Sequence, residues 1–319
     1  QRIIMLKARK VLVSAIALTL LATTGIQSST AAPKNQARAV AQPDWLEQNI
    51  DNPKVRIIEV STEPGLYERG HIKNAVKIVW HTDLVDTVNR DIASAKNFQK
   101  LAQKIGINED TTVVLYGDKN NWFAAWGAWV FNIYGAKDVR ILDGGRVKWE
   151  KDGRALTTAV PSFKAGNFTT RVADKSLRAT LLQDVLPVAK KRVKADLIDI
   201  RGADEFSGKI FAAPGFQELA VRAGHIPGAI NVPWGQNVNA DGTFKTVAEL
   251  RKLYADKGVD GKQNIITYCR IGERSSLTWF VLSEILGYNV KNYDGSWTEY
   301  GNSVGVPINN PAGTIWGNS

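Results

Sequence analysis

Two stretches, Arg69-Gly-His-Ile-Lys-Asn-Ala75 and Ala223-Gly-His-Ile-Pro-Gly-Ala229, echo one another from opposite halves of the chain. Trp80 follows His71, and Trp234 follows His225, at the same distance. Upstream of each lies a short apolar run, Val55-Arg-Ile-Ile-Glu-Val60 and Ala195-Asp-Leu-Ile-Asp-Ile200; downstream lie Thr112-Val-Val-Leu-Tyr116 and Asn264-Ile-Ile-Thr-Tyr268. Such bounded apolar runs read as buried strands. The later run of each half leads into an amphipathic helical stretch ending at Gly135 or Gly287, where a glycine cap is expected. These glycines stand equally far from Gly117 and Cys269. Each half closes on an Asp-Gly turn, Asp143-Gly144 or Asp294-Gly295, with Trp149 or Tyr300 beyond.

A strand–helix alternating unit present twice implies an α/β fold of two tandem domains, each a mainly parallel sheet with helices on both faces. The boundaries are a leader over 1–41, a first domain over 42–155, a linker over 156–177, a second domain over 178–308 and an irregular tail over 309–319. His71 and His225 occupy matching places, so a role in the fold is expected of both. His81, beside Asp83, has no counterpart; an exposed loop position is expected, with cleft lining the alternative.

Composition narrows the function classes. The 319 residues are 44% hydrophobic and 23% charged, which is ordinary for a globular chain. One cysteine cannot form an internal disulfide, and one cysteine with three histidines leaves little for a zinc site, so no metal and no cofactor are expected. Met5, the basic Lys7, Arg9 and Lys10, and the apolar run from Val11 to about Ala22 read as a secretory signal over residues 5–31. Ser29-Thr30-Ala31 fits a cleavage site and Ala37-Arg38-Ala39 is a later candidate. Export to the periplasm or the exterior is therefore expected, with no stable membrane association once the leader is removed. The formal charge of +10 falls to +4 without residues 1–39, which carry Arg2, Lys7, Arg9, Lys10, Lys34 and Arg38 and no acids. The remaining charges are interspersed, and no basic stripe points to nucleic acid.

The copies differ most where chemistry is expected. Copy one has Gly117-Asp-Lys-Asn-Asn-Trp122 where copy two has Cys269-Arg-Ile-Gly-Glu-Arg274. The lone cysteine thus stands at the carboxyl end of an expected parallel strand, where open α/β sheets bind ligands. A helix expected over Ser275–Leu286, with Leu277, Phe280, Val281 and Ile285 on one face, would aim its N-terminal N–H groups at this loop. A turn around Gly272 can direct further N–H groups inward. With Arg270 and Arg274, these effects lower a thiol from its free value of about 8.5 and form a cradle for an anion. The alternative is an inert buried cysteine.

The tandem repeat, the Gly-His-Ile-Pro-Gly-Ala stretch, the Cys-Arg-Ile-Gly-Glu-Arg loop and Asp294-Gly-Ser-Trp297 resemble the two-domain rhodaneses, the thiosulfate sulfurtransferases. The resemblance covers residues 42 to 308. It implies a catalytic second domain and a non-catalytic first domain, in keeping with Gly117. It also implies that Cys269 takes the outer sulfur of thiosulfate as a persulfide, releases sulfite and passes the sulfur to cyanide or a thiol. Arg270, Ile271, Gly272, Glu273 and Arg274 would supply the substrate cradle. Asp199 and Arg201, in an Asp-x-Arg that matches the family's, would support the loop together with Ser296. Some members carry an arginine where this chain has Glu205. Asp118 and Trp122 are candidates to face the cleft, with interface packing the alternative for Trp122.

Three other readings stand beside this one. A 3-mercaptopyruvate sulfurtransferase shares the fold and intermediate, but usually carries Gly and Ser after the cysteine. A cysteine-dependent phosphatase places one more residue between Cys and Arg. A sulfur carrier or anion-binding module would hold the sulfur without turnover. A tandem chain makes its own two-domain cleft, so a monomer is expected.

Overall fold

The apolar runs become parallel strands buried on both faces, the burial expected of strands covered by helices on either side. The computed structural model describes residues 36–217 and 219–316. The secretory-signal reading over 5–31 lies outside the described residues, and of the leader expected over 1–41 only 36–41 are described. The strands are β1 (Val40–Ala41), β2 (Val55–Glu59), β3 (Ala75–Lys77), β4 (Val85–Asp86), β5 (Asp91–Ile92), β6 (Thr112–Tyr116), β7 (Asp138–Leu142), β8 (Asp196–Asp199), β9 (Ile230–Asn231), β10 (Ile265–Tyr268) and β11 (Val290–Asn292). The first sheet runs β1-β7-β6-β2-β3 and the second β11-β10-β8-β9, all parallel; β4 and β5 form a small antiparallel hairpin.

The repeat read from sequence is a repeat of topology, because β7-β6-β2-β3 and β11-β10-β8-β9 share one order. Register matches too: Glu59 lies beside Tyr116 and Asp199 beside Tyr268. Each copy also has an extra segment on the same edge. In the first it is β1, paired with β7; in the second it is Arg178, bridged in parallel to Asn292. Ala39, Val40 and Ala41 are buried, so the folded region begins a few residues before the boundary expected at 42.

The helices that follow the two central strands depart from expectation. The first spans Trp122–Ile133 and the second Glu273–Phe280, after which a wider turn covers Val281–Ile285. Neither shows a solvent face near its centre: Ala124 through Phe131 are buried, as is every residue of Glu273–Phe280. Each helix lies against its own sheet on one side and against the other helix on the opposite side. This contact fuses the two cores into one cluster that runs from Ile58 and Leu115 to Ile198, Trp279 and Cys269. An edge-on contact between Trp122 and Trp234, 4.8 Å between centroids, and a 2.9 Å hydrogen bond from the Phe244 N–H to Asp143 extend it. Gly135 and Gly287 end the helical stretches with φ of 85° and 75°.

The paired histidines tie irregular segments to each domain. His71 is fully buried and stacks on Tyr67; its Nδ1 and Nε2 lie 2.9 and 3.1 Å from the Tyr67 and Ala159 carbonyls. Backbone bonds between His71 and Thr157 pin the start of the linker. His225 stacks on Phe206, lies 2.7 Å from the Phe206 carbonyl and exchanges backbone bonds with Asn309. The stretch read as a linker has no helix or strand between Lys151 and Lys175, yet it is strapped to the first domain through Gly166, Phe168 and Arg171. Replacing His71 with alanine leaves two carbonyls without their ring partner and opens a hole. A loss of about 2–3 kcal/mol in urea unfolding is expected, with earlier proteolysis near Thr157.

Candidate active site

Cys269 follows directly on β10 and is fully buried. Only Arg270, Ile271 and Gly272 separate it from the helix that begins at Glu273, two residues earlier than the sequence pattern suggested. So short a connection needs a left-handed residue, and Gly272 has φ of 105°. A Cβ there would stand 2.7 Å from the Asp294 Cα and carbonyl oxygen. Ser275 Oγ and Ser276 Oγ, each at 2.9 Å, and the Asn292 amide at 3.2 Å all donate to the Gly272 carbonyl. Thus fixed, the Gly272 N–H donates to Cys269 Sγ at 3.0 Å. The bond aims a backbone dipole at the sulfur, and the open N-terminus of the helix lies behind it.

The Asp294–Trp297 turn closes the loop from the other side. The Cys269 N–H donates to Ser296 Oγ at 3.0 Å; Ser296 Oγ in turn donates to the Tyr293 carbonyl at 2.7 Å and lies 3.9 Å from Sγ. The Trp297 and Thr298 N–H groups donate to the Cys269 and Arg270 carbonyls. Asp294 is buried and held by Arg178 through two bonds of 3.1 Å.

A cleft of about 350 Å³ opens beside the loop. Arg270, Ile271, Glu273, Arg274 and Phe216 line it from the second domain; Thr62, Lys119, Trp122 and Phe123 line it from the first. Both arginines stand near the Phe216 ring, Arg270 at 5.4 Å and Arg274 at 5.8 Å, and Arg274 also lies 5.8 Å from Trp122. Arg270 donates to the Gln217 carbonyl. Trp122 therefore both packs at the interface and faces the cleft. Asp118 accepts the Thr62 and Glu63 N–H groups and shapes the loop behind that wall.

Asp199 and Arg201 lie behind the loop. Arg201 is buried, forks onto Asp199 at 3.0 and 2.6 Å, donates to the Gly224 carbonyl and sits 4.7 Å from the Trp297 ring. The first copy has a comparable device: Glu59 accepts from Tyr116 and from Arg146 at 2.9 Å. Because it recurs in the half without a cysteine, this buried pair serves the strand end first, and the loop through it. His81 is exposed, but it lies on the one-turn helix Trp80–Asp83 rather than in a loop.

Two carboxyl groups at the site escaped the sequence reading as side chains. Glu205, noted only as a missing arginine, is buried with Oε1 3.4 Å from Arg274, so it offsets part of that charge. Glu273, expected as part of the substrate cradle, has a buried side chain whose Oε1 has no hydrogen-bond partner among the described residues. Burial pushes its carboxyl up to about 8, against the pull of its own N–H, Arg90 and Arg270. Asp91 and Arg90 of the β4–β5 hairpin also reach this region. A buried acid between two arginines has no local sequence signature.

The silent copy shows what the cysteine position requires. The Gly117 N–H donates to Asn121 Oδ1 at 3.0 Å, as Cys269 donates to Ser296, but a Cβ on Gly117 would stand 2.3 Å from the Val60 carbonyl. The first loop has no room for a side chain there.

A buried thiol at a strand end, facing a loop N–H and beneath a loop that lines a cleft between two like α/β domains, defines a cysteine-centred transferase class of site. The rhodanese-like domain family model matches residues 42–152 and 184–303. A sulfur carrier protein from Thermus thermophilus is 51% identical over 270 residues, covering 83% of this chain and 94% of its own. A protein from Mycobacterium bovis named "Putative thiosulfate sulfurtransferase 1" is 54% identical over 267 residues, covering 83% and 95%. A solved structure described as a 3-mercaptopyruvate sulfotransferase from Escherichia coli superposes with a TM-score of 0.69 at 28% identity, covering 81% of this chain and 98% of its own. The chain belongs to the rhodanese family.

Two outcomes follow from the loop. Gly272→Ala is expected to cost about 3 kcal/mol in thermal or urea unfolding, from left-handed strain and the clash with Asp294. Glu273 holds its proton in the fold between about pH 4.5 and 8, whereas the unfolded chain releases it, so its contribution to stability falls as pH rises through that window. Unfolding curves of Glu273→Gln should therefore gain on the parent as pH increases from 5 to 8.

Proposed function

We propose that the protein is a thiosulfate sulfurtransferase in which Cys269 is the nucleophile. The observation that carries this reading is the 3.0 Å bond from the Gly272 N–H to Cys269 Sγ at the foot of a helix, beneath the loop whose Arg270 and Arg274 line the adjoining cleft. The Sγ thiolate attacks the outer sulfur of thiosulfate; the S–S bond breaks and its electron pair leaves with sulfite. The persulfide anion left on Cys269 replaces the thiolate in the same N–H field. Arg270 and Arg274 serve the sulfonate oxygens and favour sulfite departure. Cyanide then attacks the outer sulfur, the Sγ–S bond breaks, and thiocyanate leaves with the thiolate restored. A thiol acceptor follows the same course once deprotonated. Ile271 and Glu273 complete the cradle, and Asp199, Arg201 and Ser296 hold it in place.

The sulfur-carrier relative favours a second reading, in which Cys269 holds sulfur for a partner without turnover with small acceptors. The 3-mercaptopyruvate reading draws on the Escherichia coli likeness. We also propose export as a monomer, with the leader cut after Ala31 rather than after Ala39. The earlier cut keeps the buried Ala39, which the later cut would remove from the edge of β1.

Intact mass of the mature protein before and after thiosulfate, then after cyanide, tests these readings together. A gain of one sulfur atom, lost with cyanide and absent in Cys269→Ser, is expected, with repeated thiocyanate formation. One sulfur per chain without turnover favours the carrier. Gain from mercaptopyruvate alone moves the assignment to that donor, and no gain from either removes sulfur transfer. The parent mass locates the cleavage point.

A further inference from the structure

We propose that Arg90, a residue of the first domain, is a positioning residue that orients the Ile271–Gly272 peptide so that its N–H faces the Cys269 sulfur. Its functional meaning rests on the sulfur-transfer reading, but its geometry stands apart from it. Arg90 lies in the turn of the β4–β5 hairpin with φ of 53°. Asp86 shapes that turn by accepting the Val88 and Asn89 N–H groups at 2.9 and 3.1 Å. From there Arg90 Nη2 donates to the Ile271 carbonyl at 2.6 Å and to the Asp294 carbonyl at 3.1 Å.

The Ile271 carbonyl and the Gly272 N–H belong to one peptide unit. In a trans peptide these groups point in opposite directions. A guanidinium fixed on the carbonyl side therefore turns the N–H side toward Sγ, where the 3.0 Å bond is found. A charge-assisted bond to the carbonyl also polarises the unit and strengthens its N–H as a donor. Through the Asp294 carbonyl, the same side chain braces the turn that carries Ser296. Arg90 is half exposed, so water screens its direct field at the sulfur, and the peptide is the main route of its effect.

Arg90 is itself held in a chain of charges. Its Nη1 lies 3.4 Å from Asp294 Oδ2; Arg178 binds Asp294 and reaches Asp91 at 2.6 Å. The first-domain hairpin, Arg178 at the start of the second domain and the Asp294–Trp297 turn thus meet on one carboxylate. Other charged groups face the loop as well: Arg270, Glu273 and Arg274 on the loop and helix, Glu205 on Arg274, and Lys119 across the cleft. It is Arg90, rather than any of these side chains, that bonds the Ile271 carbonyl, which makes it separable from them.

Cys269 is the sole cysteine, so its alkylation by iodoacetamide can be followed in the full chain as a function of pH without interference. Arg90→Met should raise the alkylation midpoint by about one pH unit and slow the reaction at pH 7 about five- to tenfold. Arg90→Lys keeps a cation but not the fork, and should fall between. Asp91→Asn breaks the ion pair with Arg178 without touching the peptide, and should leave the midpoint in place. A midpoint unchanged in Arg90→Met, or moved equally by Asp91→Asn, overturns the proposal; the second result would mean general loosening of the interface. Shifted alkylation in a parent that takes up no sulfur would support the role of Arg90 and count against sulfur transfer alone.

Discussion

The hydrogen bond from the Gly272 N–H to Cys269 Sγ sets terms that the surrounding structure must meet. It requires a strand that ends at residue 268, a helix that begins at 273 and a left-handed glycine between them. The buried Asn292, Ser275 and Ser276 hold the far side of that glycine, and the Asp294–Trp297 turn closes over the near side. A thiolate is costly to bury without such partners. The parallel sheet supplies the strand end and the helix N-terminus together, which is why this chemistry sits at the edge of an α/β layer rather than on its face.

The two copies use the same backbone plan for different ends. In the first, the strand-end residue is pressed against Val60 and admits no side chain; Asn121 fills the place that Ser296 takes in the second. The first domain contributes through its surface instead. Trp122 and Phe123 wall the cleft, and the β4–β5 hairpin reaches across to the active loop. A domain without a nucleophile is thus part of the site. The buried helix pair between the domains makes that arrangement rigid, because neither helix retains a face it could present to water at its centre.

Much of this was legible in the chain. The apolar runs, the spacing to Gly135 and Gly287, and the recurrence of Gly-His-Ile all reflect local rules of strand, cap and turn, and all reappear as topology. Cys269 was legible because its position differs from the copy beside it. What was misread depended on contacts between distant residues. The second helix looked amphipathic because Ser275, Ser276 and Thr278 stand among its apolar residues, yet those hydroxyls are buried against Gly272 and Asn237. The described part of the tail is irregular and largely exposed, as expected, but its tie to the second domain, the pairing of Asn309 with His225, could not be read from the chain. Glu205 read as an absent cation, whereas burial beside Arg274 makes it part of the charge balance.

The amino-acid sequence by itself determined that there are two α/β units, where their strands and glycine caps fall, and that the one cysteine stands at a strand end, because each depends on neighbours within a few positions. Only the tertiary structure decided which groups surround that sulfur. Arg90 lies 181 residues before Ile271, and Trp122 lies on the opposite domain. Electrostatic and hydrogen-bonding partners act through distance in space, and chain separation of that size leaves no local pattern from which such a partner can be read.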